Sequence, residues 1–397
     1  MSEPLQLGLE VALAEPPALL QRARAFGLLC NQASVDGGFT HAAIALQARF
    51  PGRLAALFGP QHGLWSTEQD NMVETAHVRD ARLGVPVWSL YSETRRPRPE
   101  MLVDLDLLVV DLQDVGTRVY TYAWTLCECL AACRERGIPV LVLDRPNPIG
   151  GRHAEGPLLD LAWRSFVGGA PVPMRHGLTL GELARFCNER LGIGADLHVV
   201  AMRGWRREQL WRDTGRGFVP PSPNLPRGEG ALVYPGQVLL EGTRLSEGRG
   251  TTTPFEQWGA PFVDPWALLE TLRAHELPGV ALRPVRFEPT FQKWQRRACG
   301  GLFLHVTDPE AFRPYRTTAV LLRAVRELWP QHFEWLPPPY EYETEKMPID
   351  ILSGGPALRA FVAGERPWSE LGAVTAAPRD WWSQAAPFLL YAGATVG

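Results

Sequence analysis

A chain of 397 residues is longer than one ordinary hydrophobic core supports, and at ~150 residues per domain it predicts two domains. A formal net charge of -3 lacks the basic face that a phosphate backbone demands, which sets nucleic acid aside as a partner. A hydrophobic fraction of 45% against 21% charged residues supplies a large core and argues against disorder.

The opening residues MSEPLQLGLEVALAEPPALL carry acids where a secretory signal requires a basic start, and Glu10, Glu15 and Pro16 interrupt any apolar run. No stretch reaches the ~18 apolar residues of a membrane-crossing helix. The expectation is a cytoplasmic protein with no membrane partner, and the sequence leaves its oligomeric state open. The six cysteines, Cys30, Cys127, Cys129, Cys133, Cys187 and Cys299, show no C-x-x-C spacing. They are expected to be reduced and mostly buried. No histidine stands at a ligand spacing from them, so no metal and no other cofactor is expected.

In chain order, the first strand expectation is AFGLLC ending at Cys30, followed by a helix over about His41 to Phe50. Strands LAALF (ending at Phe58) and VPVWSL (ending at Leu90) come next, then a helix near Pro99 to Leu105. LLVVD ends at Asp111, a long helix runs from Tyr120 to Arg136, and PVLVLD ends at Asp144. Strands this apolar suit a parallel sheet covered on both faces, so the fold class is α/β with a Rossmann-like domain over residues 1–156. From Pro157 the texture becomes longer segments punctuated by Pro and Gly. The strands ADLHVVAM and GLFLHVTD, with helices near Gly181 to Leu191, Pro265 to His275 and Ala311 to Leu328, predict a smaller α+β domain over 157–397 with cleft-forming loops.

Polar residues follow each strand at once: Asn31 and Gln32, Gln61 and His62, Tyr91, Gln113 and Asp114, Arg145 and Asn147. In a parallel sheet these positions share one edge, and open α/β sheets bind ligands in the crevice beyond the carboxyl ends of their strands. Neither G-x-G-x-x-G nor G-x-x-x-x-G-K-[ST] occurs, so the sheet implies no dinucleotide or nucleoside triphosphate.

The blocks LLCNQASVD, LFGPQHG, DLQDVGTRVYTY, LDRPNPIGG, EGPLLD, SFVGGAPVPMRHGLTLGELA, PPSPNLP, LVYPG, EGTRLSEGRGTTTPFE and GAPFVD resemble, in order and spacing, the exo-β-N-acetylmuramidases, a glycoside hydrolase family formerly known as a domain of unknown function. The resemblance implies two domains with a cleft between them, and release of N-acetylmuramic acid from the non-reducing end of peptidoglycan fragments, a small-molecule glycan substrate. In one block the chain departs from the family's Gly-Pro-Glu-His-Gly. Gln61 stands where the family places a glutamate, and an amide neither donates a proton usefully nor serves as a carboxylate nucleophile. A related hydrolase of different sugar specificity, or a sugar-binding homologue without turnover, are therefore the alternatives to the family activity.

Glycoside cleavage ordinarily needs a protonated carboxyl at the leaving oxygen and a second carboxylate opposite. The catalytic candidates are Gln61 and His62 by position, Asp114 at a strand end, and Glu68, one loop beyond Gln61, as replacement for the absent acid. Asp114 as a helix N-cap is an equally good reading. Glu241 and Glu247 are further acids available from the second domain. For the lactyl carboxylate of the substrate the planar fork of arginine is the natural partner, which singles out Arg118, Arg175 and above all Arg249 in the SEGRGTTT loop. Asn31, Asp111, Gln113, Tyr120, Asp144, Arg145, Asn147, Glu155, His176 and Glu247 complete the expected substrate-binding set, with Asp144-Arg145 readable also as an ion-paired structural corner.

Overall fold

The computed structural model describes residues 4–70 and 72–393. Seven strands, β1 (Phe26–Cys30), β2 (Leu54–Gly59), β3 (Val78–Arg79), β4 (Pro86–Ser89), β5 (Leu107–Asp111), β6 (Val140–Leu143) and β7 (Leu197–Val200), form one sheet in the order β3-β4-β2-β1-β5-β6-β7. All neighbours are parallel except the short edge strand β3, which runs against β4. Every residue of β1, β5 and β6 is buried, because helices cover both faces of the sheet. Three more strands, β8 (Gln257–Ala260), β9 (Val280–Phe287) and β10 (Cys299–Val306), build a separate antiparallel sheet in the order β8-β10-β9. Helices Gly228–Gln237 and Pro265–Leu272 pack on it, and helix Pro314–Leu328 packs against both of them. The first and last of these meet closely at Gly236, where a Cβ would lie 2.0 Å from the Pro314 carbonyl oxygen. This is the predicted class, a Rossmann-like sheet domain with a smaller α+β companion.

Five strands of the first sheet fall where hydrophobic runs placed them, and so does the long helix, Tyr122–Arg136, closed by Gly137 at φ 67°. Differences have local causes. The expected helix near Pro99 shrinks to one tight turn, Pro99–Met101. The strand within ADLHVVAM, assigned to the second domain, pairs in parallel with β6 and completes the first sheet, so the strand-helix alternation continues well past residue 156. Strand β9 was missed because VALRPVRF carries a proline; the edge position it holds tolerates the missing donor. The Pro314–Leu328 helix begins three residues later than expected, with proline at its first position, where its absent N–H is no loss.

Strand order reverses between β1 and β5, and the crevice beyond that point is where such folds usually seat a ligand. Here protein fills it. Asp111 at the end of β5 and Arg145 beyond β6 form a buried two-pronged pair, Nε to Oδ1 and Nη2 to Oδ2, the latter at 3.0 Å. Arg145 also donates to the Val35 carbonyl at 2.7 Å. Asn31 beyond β1 donates to the Pro221 carbonyl at 2.7 Å, and Gln32 to that of Pro220 at 2.8 Å, so a loop of the middle region lies across the strand ends.

Polar side chains also fasten the two sheets' regions together. Glu155 accepts from the backbone N–H groups of Tyr315 and Arg316 at 3.2 and 2.8 Å, capping the Pro314–Leu328 helix from outside it. Arg118 donates to the carbonyls of Pro157, Val172 and Leu352. Near the carboxyl terminus, Tyr391 donates to Asp144 at 2.6 Å, and Leu390 N–H to Glu182 at 2.9 Å. All six cysteines are free and buried. Among the described residues no helix is long and apolar enough to cross a membrane.

Removing one member of a buried ion pair strands the other without its counter-charge, at a cost of ~3–5 kcal/mol. Asp111→Ala is therefore expected to lower unfolding free energy by about that amount in a urea titration monitored by tryptophan fluorescence. A change under about 1 kcal/mol would show that Arg145 needs no partner.

Candidate active site

The cleft opens between the two regions. Its floor comes from the turn after β2 (Gln61, His62) and from Tyr120, Thr121 and Tyr122 at the start of the long helix. Its far wall is Tyr234, Glu241, Arg249 and Phe255, and its sides are Ser222 with Asn224 and Tyr340 with Glu341. The free space enclosed is about 40 Å³, well below the ~300 Å³ of ordinary ligand pockets, so the walls are closed on one another.

Glu341 is the carboxyl that sequence reasoning did not find. It sits in a turn closed by reciprocal bonds of 2.9 Å between the backbones of Tyr340 and Glu343, with Glu341 and Tyr342 at φ 45° and 68°. This left-handed backbone is costly for non-glycine residues and points the carboxyl inward. Its two oxygens accept from Gln61 Nε2 at 3.2 Å and from the Tyr91 hydroxyl at 2.7 Å. Burial pushes its pKa up; the Tyr91 bond opposes that, and the neighbouring Glu241 reinforces it. Gln61 is itself fixed, because Thr121 donates to its Oε1 at 2.7 Å and so turns the NH2 end toward Glu341.

Glu241 is the second carboxyl of the cleft. It accepts from Arg249 at 2.6 Å and from the Tyr340 hydroxyl at 2.6 Å. Behind it Arg249 lies 3.1 Å from Glu247, which in turn accepts from Lys293 at 2.9 Å. Two acids and two cations thus balance, and the two carboxylates hold the Arg249 guanidinium charged, its pKa pushed up against the desolvation that would lower it. Lys293 and Arg249 hold the Glu247 carboxyl below its usual range although burial opposes them.

His62 occupies a left-handed turn with Gly63, at φ 70° and 78°. Its Nδ1 lies 2.7 Å from the Glu68 carbonyl, which only accepts, so Nδ1 carries the proton and Nε2 is an acceptor. Burial pushes its pKa down to about 4, which leaves the ring neutral. Glu68 contributes that carbonyl alone. Its side chain lines a different cavity with Trp65, Thr75 and Arg79, so the expectation that it replaces the family's glutamate is corrected.

Of the residues singled out in the sequence, the structure brings Gln61, His62, Tyr120, Glu241 and Arg249 into the cleft, with Glu247 directly behind Arg249. The others serve the frame around it. Asp111 and Arg145 hold each other, and Asn31 binds Pro221 and the Tyr122 hydroxyl. Gln113 donates to the carbonyls of Asp114 and Pro146 at 2.7 and 2.8 Å, and Asn147 to that of Leu178 at 3.0 Å. Asp144 accepts from Thr179, Gly181 and Tyr391. Asp114 accepts from Gly116 N–H at 2.6 Å, an intra-loop cap, and lies 3.8 Å from His176 below the cleft. Burial pushes Asp114 up to about 7 and His176 down to about 3. Arg175 donates to the Ile149 carbonyl at 2.7 Å, and Arg118 and Glu155 fasten the two regions as described. All eleven of these residues are buried and none lines the cleft. Among the described residues no cluster of His, Cys, Asp or Glu is arranged to hold a metal.

Two adjacent sequence models of one family match the chain: exo-beta-N-acetylmuramidase NamZ, N-terminal, over residues 26–229, and the C-terminal counterpart over residues 232–391. The chain is 45% identical over 332 residues to the peptidoglycan beta-N-acetylmuramidase NamZ of Bacillus subtilis (strain 168), covering 84% of this chain and 80% of that protein. Two crystal structures of DUF1343-family proteins from Bacteroides fragilis superpose along almost the full length. One has a TM-score of 0.87 at 30% identity and the other 0.74 at 27%, each covering 98% of this chain and 99% of its own. With matches across both halves, the chain belongs to the exo-beta-N-acetylmuramidase NamZ family.

Proposed function

We propose that Glu341 is the proton donor and Glu241 the opposing carboxylate of this family's reaction in this chain. The enzyme is a glycosidase that releases N-acetylmuramic acid from the non-reducing ends of peptidoglycan fragments. The observation that carries the assignment is the position of Glu341: a carboxyl buried beside a second one, against an amide and a phenol. Burial keeps it protonated at a pH where an exposed glutamate would ionise, as a general acid requires. Arg249 and the Tyr340 hydroxyl both donate to Glu241, which fixes this carboxyl in the cleft wall where it can face an oxocarbenium-like transition state. Gln61 then has a role that suits an amide. It carries no charge to compete with Glu341, and it donates to the carboxylate that remains after the proton has left. Arg249 is the cation nearest the cleft for the substrate's lactyl carboxylate, alongside Tyr120, Ser222 and Asn224 as hydroxyl and amide partners. Because the walls are closed, entry of a sugar ring requires the Tyr340–Tyr342 turn or the 220–225 loop to withdraw.

Glu341→Gln, with the fold checked by circular dichroism, is expected to lower kcat by ~10²–10⁴ on an aryl N-acetylmuraminide, whereas Glu68→Gln stays within about twofold of the parent. Parental turnover in Glu341→Gln would overturn the assignment. The pH dependence follows from direction alone. The donor works only while protonated, so kcat/KM falls as pH rises through the raised pKa of Glu341. Tyr91→Phe removes a bond that favours the ionised form, and is expected to move this alkaline limb to higher pH. A limb that stays put or moves down in that variant would mean another group donates the proton.

A further inference from the structure

Glu341 lines two cavities. On one side lies the cleft with Glu241 and Arg249; on the other lies a second cavity of about 460 Å³, shared through Glu341 alone. Three further stretches pass from one to the other. Tyr120–Tyr122 line the cleft, while Trp124, Cys127 and Glu128, one to two turns along the same helix, line the second cavity. Val167 faces the first and Phe166 the second, and Tyr340 the first and Tyr342 the second. The two spaces are therefore neighbours separated by the proposed proton donor.

A general acid in glycoside hydrolysis must reach the glycosidic oxygen, the atom that joins the departing sugar to the one that is retained. The spaces on its two sides then hold the two sugars. The cleft carries Arg249, the cation that suits a muramic acid carboxylate. The second cavity has a different character. Its walls are the rings of Trp124 and Phe166 with Leu191, Cys127 and Gly169, and its rim carries Arg95, Arg164, Glu128 and Ser165. Aromatic faces with charged and hydroxyl groups at their edge suit a pyranose, which has apolar C–H faces and a polar perimeter. Arg95 is held ready for such a perimeter. Its guanidinium stacks 3.7 Å over the Tyr342 ring and 4.6 Å over that of Tyr91, while its buried Nε has no hydrogen-bond partner among the described residues.

We propose that this cavity is the subsite for the leaving sugar, an N-acetylated hexosamine at the cut end of the glycan; the proposal rests on the assignment of Glu341 above. In the step it serves, the bond between the muramic acid anomeric carbon and the bridging oxygen breaks. That oxygen takes the Glu341 proton to become a hydroxyl of the leaving sugar; the water oxygen bonds to the anomeric carbon and keeps one proton, and its other proton passes to the enzyme's carboxyls and restores the one that Glu341 gave.

The test compares two substrates in one enzyme. One is the disaccharide of N-acetylmuramic acid β-linked to N-acetylglucosamine; the other is an aryl N-acetylmuraminide, whose small planar leaving group does not need the sugar's perimeter contacts. For Arg164→Ala and Phe166→Ala the ratio of kcat/KM for disaccharide over aryl glycoside is expected to fall at least about tenfold, with Arg164→Lys recovering part of it. Inhibition by free N-acetylglucosamine should weaken in parallel. A ratio within about twofold of the parent in Arg164→Ala, whose side chain is exposed and whose folding is not at stake, overturns the subsite. Failure of the unmodified enzyme to release muramic acid from either substrate overturns the functional assignment itself, and appears before any variant is made.

Discussion

One carboxyl in the wrong dielectric organises this molecule's chemistry. Glu341 is almost fully buried, has no cation in hydrogen-bond contact, and is supported by an amide and a phenol. A buried carboxylate without a hydrogen-bonded counter-charge is costly, so burial pushes its pKa up. The surroundings enforce the arrangement. Glu241 and Glu247 are matched against Arg249 and Lys293 a few ångströms away, whereas the cation that opposes the effect of burial at Glu341 is the more distant Arg95. Two carboxyls with different partners, one bound by a cation and one by an amide and a phenol, thus share one cleft.

The same reasoning explains why so many polar residues at strand ends are not in the cleft. A parallel sheet whose carboxyl edge is covered by loops must satisfy the backbone of those loops, and buried backbone groups are rarely left unpaired. Asp144, Asn147, Gln113 and Asn31 are used in this way, each bonding to main chain or to a residue that holds main chain. Asp111 and Arg145 neutralise each other across the switch point, and the 220–222 loop then lies over the strand ends. The crevice that a Rossmann-like sheet offers to a ligand is closed by protein, and the site moves outward to the turn after β2 and the mouth of the long helix.

The sheet was legible in the sequence because β1, β5 and β6 are unbroken apolar runs, a pattern that only burial on both faces explains. The second sheet was less so: β9 alternates weakly and contains Pro284, and β8 is the four-residue stretch Gln257–Ala260. Arg249 was found because a glycine-rich loop with one arginine stands out locally. Glu341 gave no such signal. Its segment, PPPYEYETE, reads as a polar loop, and its distinction comes from contacts with Gln61 and Tyr91, 280 and 250 residues away. Glu68 illustrates the converse error, since nearness in sequence to Gln61 brings only its backbone carbonyl to His62, while the residue lines a separate cavity.

The substitution at Gln61 becomes intelligible once its partners are known. Two ionisable carboxyls in contact compete for one proton, and the pair rather than either group then titrates. With an amide at position 61 that competition is removed. Thr121 fixes the Oε1 end, the NH2 end can only donate, and of the two side chains Glu341 alone can carry an exchangeable acidic proton. The acid's place in space is thereby decoupled from its place in sequence: the turn after β2 supplies a fixed hydrogen-bond donor, and the 340–343 turn, which also closes the cleft, supplies the proton. A residue that both shuts the site and donates the proton is aligned for transfer when the walls are together, so closure and reactivity are bound to the same short, left-handed turn.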